Sequence, residues 1–142
     1  MIKDVVVTNL KIINTPDGEV MHAIKRNEDE FKSFGEVYFS NIKKDRIKGW
    51  KRHKEMTLNL VVPVGKIRFV LHDDRITSNP KFQEVIISKE NYCRLTVPPL
   101  IWMAFQGLSE GKSMLVNIAS IMHHPKEVEK KNINQIIFDW NK

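Results

Sequence analysis

Residues 47–75 read IKGWKRHKEMTLNLVVPVGKIRFVLHDDR, and this stretch decides the fold. Within it, residues 58–71 are rich in apolar and β-branched side chains, with Pro63 and Gly65 near the middle of the run. An apolar run that is broken by turn residues is typical of buried strands joined by a tight turn. The sequence therefore predicts two neighbouring strands here.

A lysine and a histidine precede this run and are candidates for function. Lys51 and His53 are two residues apart, so on an extended strand both side chains point to the same face. Burying a cation and an imidazole together is costly unless they meet a polar ligand. We therefore expect a ligand site beside these two residues.

Short strand patterns continue along the rest of the chain. The predicted strands cover residues 5–13, 20–24, 36–42, 83–88, 92–97, 102–106 and 114–121. The segment TPDG at 15–18 predicts a turn, and residues 73–82 predict a long loop. Short strands with turn signals about every ten residues favour an all-β sandwich or a double-sheet jelly roll. Only residues 125–131, with Glu127 and Lys131 four apart, predict a short C-terminal helix.

Composition sets the broad class. A chain of 142 residues with 42% hydrophobic content is expected to form one domain, residues 1–142. The net charge of +6 favours an anionic partner, such as nucleic acid or a phosphorylated small molecule. The single Cys93 excludes an intramolecular disulfide and fits a reducing compartment, so we expect a cytoplasmic protein. No apolar run reaches the roughly 18 to 20 residues that a membrane span needs, and no membrane partner is expected.

The histidines do not favour a metal centre. Jelly rolls often hold a transition metal through two histidines two apart on one strand and a histidine from a later strand. Here Lys51 stands in place of the first histidine, and Trp102 and Met103 lie where the later one is expected. His123 and His124 are adjacent, precede a proline, and are expected on the surface. We therefore predict no metal and no other cofactor.

Several residues have both a structural and a functional interpretation. His22 is equally compatible with a half-buried structural histidine and a ligand contact, and His72 is expected to be a solvated neighbour of two aspartates. Trp102 is expected in the core, or stacked on a base or sugar ring. A basic cluster could attract phosphates; its members are Lys43, Lys44, Arg46, Lys48, Lys51, Arg52 and Lys54. Nucleic acid is the less favoured partner, because the cluster lacks interleaved aromatics and no recognition helix is evident.

Five motifs occur in a distinctive order. They are GEVYFS at 35–40, IKGW-x-x-H at 47–53, VPVGKIRFVL at 62–71, DDR-x-x-S-x-P at 73–80 and VPP-x-x-W-x-x-F at 97–105. In this order they resemble the dTDP-4-dehydrorhamnose 3,5-epimerase family, especially its short members. The resemblance implies a cupin-type double-stranded β-helix (jelly roll), here with a short C-terminal helical tail. It also implies a homodimeric, metal-free isomerase that acts on a nucleotide-linked 4-keto-6-deoxy sugar in surface polysaccharide (lipopolysaccharide) biosynthesis.

The chain departs from the family pattern at sensitive positions. Lys51 occupies the position of the catalytic histidine that the resemblance implies. The implied catalytic tyrosine falls near Val116 and Asn117, where no tyrosine stands. The arginine and glutamate of the early nucleotide-contacting motif become Asp17 and His22.

These departures leave two hypotheses. In the first, the chain is an epimerase in which His53 removes a proton next to the ketone and Lys51 holds the enolate oxygen. The predicted substrate-binding residues are His22, Tyr38, Lys48, Arg75, Trp102 and Asn117. In the second, the jelly roll is a non-catalytic module that binds a nucleotide sugar or another anion.

Overall fold

The apolar run at residues 58–71 forms two strands that belong to two different sheets. β6 (Leu58–Val64) and β7 (Lys66–Asp73) are separated only by Gly65, whose φ is +83°. A Cβ at Gly65 would collide with Ser113, so this turn needs glycine for both its backbone angle and its lack of a side chain. The predicted tight turn is present, and it carries the chain from one sheet into the other.

Twelve strands and one 3₁₀ helix make up the regular structure of the computed structural model, which describes residues 1–142. The remaining strands are β1 (Val6–Asn9), β2 (Ile12–Thr15), β3 (Gly18–Met21), β4 (Glu36–Lys43), β5 (Ile47–His53), β8 (Lys81–Ser88), β9 (Cys93–Val97), β10 (Trp102–Gly107), β11 (Lys112–Ala119) and β12 (Val128–Lys130). Two five-stranded antiparallel sheets have the orders β1-β9-β6-β11-β4 and β12-β5-β10-β7-β8. The predicted all-β jelly roll is confirmed.

The two sheets pack face to face around an apolar core. Alternate residues of each strand point into this core, as the period-2 geometry of strands requires. The largest contributions come from Leu58, Leu60, Val62, Ile67, Phe69, Leu71, Val85, Ile87, Leu95, Val97, Phe105 and Leu115. Each fully buried side chain of this size contributes about 1.5 to 3 kcal/mol to folding. Most of these residues lie on β6, β7, β8 and β9, and a cavity opens on the side nearer β4 and β5.

The prediction of a C-terminal helix at 125–131 is wrong. Residues Val128–Lys130 instead form β12, which pairs with β5 at the edge of its sheet. Trp50 and Lys131 exchange both backbone hydrogen bonds, at 3.1 and 3.0 Å. Pairing with β5 thus satisfies the backbone N–H and C=O groups of this segment, which a helix would have satisfied through its own internal hydrogen bonds. The only helix is the 3₁₀ helix Ile133–Gln135, and the structure has no helix long and apolar enough to cross a membrane.

The segment after β12 covers the outer face of the second sheet. Buried residues of this outer cluster are Trp50, Val70, Trp102, Ala104 and Ile136, with Ile133, Phe138 and Trp140 packed against them. Trp50 also donates from Nε1 to the carbonyl oxygen of Ile133 at 3.3 Å. This packing fixes the outer side of β5 and β10, so the opposite faces of these strands line the interior.

Near the amino terminus, the predicted strand at 5–13 is divided into β1 and β2. β1 pairs with β9, whereas β2 pairs with β3 to form a separate hairpin. The predicted TPDG turn joins β2 and β3, with Thr15 and Gly18 as register partners.

Candidate functional site

An open cavity lies between the two sheets, on the side nearer β4 and β5. Its volume is roughly 700 Å³, including the open mouth. One sheet contributes Tyr38, Ser40, Leu58, Leu60, Leu115 and Asn117, and the other contributes Lys48, Gly49, Lys51, His53, Met103 and Phe105. The floor is apolar, and the polar groups converge from β4, β5 and β11. Such a combination is typical of small-molecule sites.

His53 is held in this cavity by a buried carboxylate. Its Nδ1 lies 2.6 Å from Oε1 of Glu127, and the two side chains are only 12% and 6% exposed. A carboxylate accepts hydrogen bonds, so Nδ1 carries a proton, and in the neutral imidazole Nε2 keeps its lone pair. His53 is thereby oriented as a base toward the cavity that it lines.

Glu127 is itself fixed by the backbone of a neighbouring loop. Its Oε2 accepts hydrogen bonds from the N–H groups of Glu55 at 2.8 Å and Met56 at 2.9 Å. Burial alone would raise the pKa of Glu127, but these N–H groups and the His53 ring outweigh burial and hold the pKa below its usual range. The carboxylate therefore stays charged beside the imidazole. Sequence reasoning missed Glu127, because an isolated glutamate in a polar segment carries no signal of such a role.

Lys51 lies on the same cavity wall as His53. Both residues line the cavity, and the two-residue spacing on β5 places them on one face. Burial lowers the pKa of Lys51, and the charges of Lys130 and Lys48 lower it further. Lys51 makes no salt bridge. An ammonium without a carboxylate partner is available to a negatively charged ligand.

A tyrosine and an asparagine occupy the opposite wall. Tyr38 on β4 is the register partner of Asn117 on β11, and Asn117 Nδ2 donates to the Tyr38 hydroxyl at 2.9 Å. Asn117 is almost completely buried, and its Oδ1 has no hydrogen-bond partner within the protein. Because the hydroxyl oxygen of Tyr38 already accepts a hydrogen bond, its own proton is free for another acceptor.

The comparison with known families agrees with this geometry. Residues 3–134 match the WxcM-like, C-terminal family (FdtA). The chain belongs to this family. No curated protein is significantly similar to the chain.

Solved structures similar to this WxcM-like chain include sugar isomerases and epimerases. A dTDP sugar isomerase from Desulfovibrio desulfuricans G20 is 31% identical, with a TM-score of 0.92 over 97% of this chain and 91% of that one. The RmlC epimerase of Legionella pneumophila, in complex with dTDP-4-keto-L-rhamnose, is 20% identical, with a TM-score of 0.85 over 99% and 80%. QdtA, a sugar 3,4-ketoisomerase from Thermoanaerobacterium thermosaccharolyticum in complex with TDP, is 22% identical, with a TM-score of 0.72 over 95% and 93%. The resemblance to the epimerase family and the prediction of an enzyme are confirmed.

Three of the six predicted substrate-binding residues line the cavity of this WxcM-like chain. They are Tyr38, Lys48 and Asn117. Lys48 is held in place because its Nζ donates to Ser40 Oγ at 3.2 Å and to the Asn41 carbonyl oxygen at 2.7 Å. It therefore contributes a positioned charge at the cavity wall.

The other three predicted residues, His22, Arg75 and Trp102, lie away from the cavity. His22 follows the β2–β3 hairpin, and its carbonyl oxygen accepts a hydrogen bond from Tyr92. The Arg75 guanidinium is bound to the Asp73 carboxylate at 2.9 Å. Trp102 is in the outer cluster, on the opposite face of β10 from the cavity residues Met103 and Phe105.

Several outward-facing groups have structural partners of their own. Arg52 lies 4.6 Å above the ring of Trp102, and the Trp102 Nε1 donates to Asp74 at 3.2 Å. His72, expected in solvent, is instead half-buried against Phe82, with ring centroids 4.4 Å apart. Trp102 is therefore buried, as predicted, but on the outer rather than the inner face of the sheet.

The two adjacent histidines, His123 and His124, are exposed. His124 accepts a hydrogen bond from the backbone N–H of Lys126 at 3.1 Å, which is local turn chemistry. Nowhere do three His, Cys, Asp or Glu side chains lie close enough together to hold a metal ion. The polar side-chain groups that line the cavity are an imidazole, two ammonium groups, a phenol, a serine hydroxyl and an amide.

Proposed function

We propose that this protein is an isomerase or epimerase of a dTDP-linked 4-keto-6-deoxy sugar and removes a proton next to the ketone. The observation that carries the proposal is the His53–Glu127 pair, which presents an oriented base in the cavity beside Lys51. The relatives support the substrate class: a 31% identical protein is named a dTDP sugar isomerase, and two proteins of the same fold bind dTDP-4-keto-L-rhamnose or TDP.

The proposed first step is enolisation. A ketone at C4 acidifies the protons on C3 and C5, because the resulting carbanion is delocalised onto oxygen. His53 Nε2 takes one of these protons, the C–H electron pair forms a carbon–carbon double bond, and the carbonyl π pair moves to the oxygen. The Lys51 ammonium stabilises the enolate oxygen, and the carboxylate of Glu127 stabilises the imidazolium that forms.

The second step returns a proton and decides the product. Tyr38 lies on the wall opposite β5, and its proton is free because Asn117 occupies the oxygen as a donor. Return of a proton to the opposite face of the same carbon inverts that carbon, which is epimerisation. Removal from C3, transfer of the hydroxyl proton from O3 to O4 and return of a proton at C4 instead move the ketone from C4 to C3. Proteins of the same fold are named for both outcomes, an epimerase and a 3,4-ketoisomerase among them.

A non-catalytic binding module is the alternative function. Such a module needs cations and apolar contacts, but it gains nothing from a histidine that a buried carboxylate orients. The three hydrogen bonds of Glu127 offset the cost of burying its charge, and one of them orients the imidazole as a base, which binding alone does not require. The geometry therefore favours catalysis.

Deuterium exchange tests the proposed function directly. The protein is incubated in heavy water with dTDP-4-keto-6-deoxy-D-glucose, and proton NMR follows the signals of C3 and C5. We expect deuterium to enter at one or both carbons, and the product spectrum then distinguishes a 3-epimer, a 5-epimer and a 3-keto sugar. Absence of exchange over hours with a panel of dTDP- and UDP-linked 4-keto sugars, despite saturable binding, would favour the binding module.

Tyr38→Phe is expected to separate the two steps. Removing the phenolic hydroxyl takes away the proton donor but leaves His53 and Glu127 in place. Product formation should fall by about a hundredfold, at the lower end of the range for loss of an acid catalyst. Deuterium exchange at the proton-abstraction site should fall far less. Equal loss of exchange and product formation would contradict the assigned role, and Tyr92→Phe, a tyrosine outside the cavity, is the control.

The predicted homodimer, cytoplasmic location and role in polysaccharide synthesis remain predictions. The same holds for a single domain over residues 1–142. The proposed chemistry requires only residues that line the cavity, together with Glu127.

A further inference from the structure

A second recess adjoins the cavity and is lined by cations and amides. Its volume is roughly 650 Å³, and its lining residues are Gly49, Trp50, Lys51, Lys130, Lys131, Asn132 and Gln135. Gly49 and Lys51 line both the recess and the cavity, so the two spaces meet at these residues. No acidic residue lines the recess, which makes it suited to an anion.

The pairing of β12 with β5 creates this concentration of charge. Lys130 is the register partner of Lys51, so the two side chains lie next to each other on one face of the sheet. Like charges directly opposite each other on neighbouring strands are destabilising. Neither lysine makes a salt bridge, whereas Lys44 and Lys89 elsewhere pair with glutamates. The repulsion between Lys51 and Lys130 is relieved when an anion lies between them.

The other cations near the cavity are already engaged. Lys48 donates to Ser40 and Asn41, and the Lys131 ammonium lies 4.7 Å from the centroid of the Trp102 ring on the outer face. Lys51 and Lys130 are therefore the free ammonium groups of the recess, and Lys51 also faces the cavity. Gln135 adds a donor, because its Oε1 accepts the N–H of Asn132 and leaves the amide NH₂ for another acceptor.

We propose that this recess binds the diphosphate of the nucleotide-linked sugar, with Lys130 as the principal cation and Gln135 as a neutral donor. The inference rests on the proposed function for the identity of the ligand. The C4 ketone must reach Lys51 and His53, and the diphosphate is attached at C1 across the sugar ring. The recess shares Gly49 and Lys51 with the cavity, so a diphosphate in the recess adjoins a sugar in the cavity. Lys130 thus takes the place of Arg75, which is bound to Asp73 elsewhere.

Calorimetric binding of dTDP, inorganic pyrophosphate and thymidine tests the site without turnover. Lys130→Ala should weaken dTDP binding by about tenfold, and Lys130→Glu by about a hundredfold, because a charged hydrogen bond to phosphate is lost or replaced by repulsion. Lys130→Arg should retain most of the affinity, and thymidine binding should not change. Lys81→Ala and Lys81→Glu are matched controls, because Lys81 is exposed on β8 at the far edge of the same sheet. Higher salt should reduce the difference between wild type and Lys130→Ala.

The outcomes separate this inference from the proposed function. If the wild type catalyses deuterium exchange but Lys130→Glu binds dTDP as tightly as Lys81→Glu, the diphosphate site is rejected and the function stands. If pyrophosphate and dTDP bind in a Lys130-dependent manner without any exchange, the site stands and the enzyme proposal fails. The site is overturned if neither dTDP nor pyrophosphate binds the wild type. It is also overturned if substitution of Lys130 weakens the binding of dTDP and of thymidine equally.

Discussion

His53→Asn is expected to slow deuterium exchange next to the ketone by about a thousandfold, within the range for loss of a general base. The asparagine amide can still donate a hydrogen bond to Glu127, so the buried carboxylate keeps a partner and the fold is preserved. What it lacks is a lone pair on nitrogen that can accept a proton. The measurement is the initial rate of deuterium incorporation by NMR at saturating dTDP-4-keto-6-deoxy-D-glucose.

A matched control is available on the surface of the same chain. His123 is exposed, and only its backbone N–H makes a hydrogen bond, so His123→Asn should exchange deuterium at the wild-type rate. Affinity for dTDP should be close to wild type in both variants, because neither loses a cation. If His53→Asn retains more than a tenth of the wild-type exchange rate, another group is the base.

The part of the site that lies on β5 could be predicted from the sequence. The apolar run at 58–71 fixes β6 and β7, and the strand period then places Lys51 and His53 on one face. This inference needs only local geometry. It required no knowledge of which strands are neighbours.

The partners of His53 and Tyr38 could not be predicted, because they depend on pairing between distant strands. Glu127 is 74 residues from His53 along the chain, and Asn117 is 79 residues from Tyr38. The sequence interpretation found no tyrosine near Asn117. The β4–β11 pairing nevertheless brings the Tyr38 hydroxyl to that point from the neighbouring strand.

Arg75 and Trp102 were predicted to bind the substrate but lie outside the cavity. Both are residue types that often bind nucleotide sugars, yet each is engaged by its surroundings. The Arg75 guanidinium is hydrogen-bonded to the carboxylate of Asp73, which lies only two residues earlier in the chain. Trp102 faces away from the cavity because side chains alternate between the two faces of β10, and Met103 and Phe105 take the inward positions. The C-terminal segment then covers the outward tryptophan, and that cover could not be foreseen when the segment was interpreted as a helix.

Glu127→Gln and Glu127→Ala are expected to lose both activity and stability, for different reasons. In the glutamine variant an amide NH₂ can face His53 Nδ1, which favours the tautomer protonated on Nε2 and leaves no base toward the cavity. Exchange should fall by about a hundredfold. The alanine variant leaves the N–H groups of Glu55 and Met56 without their acceptor, and the free energy of unfolding should fall by about 3 kcal/mol.

The pH dependence of the unfolding free energy tests whether the charge on Glu127 stabilises the fold. Because the folded-state pKa of Glu127 lies below the usual value of 4.5, its carboxylate contributes stability that is fully present above about pH 4.5 and is lost as the pH falls through the folded-state pKa. The difference in unfolding free energy between wild type and Glu127→Gln should therefore be largest near neutral pH and shrink in acid. Urea denaturation at a series of pH values between neutral and strongly acidic measures it. A difference that stays constant with pH would show that the charge of the carboxylate does not stabilise the fold. A glutamine variant that exchanges deuterium at the wild-type rate would show that the carboxylate does not hold the imidazole in its active form.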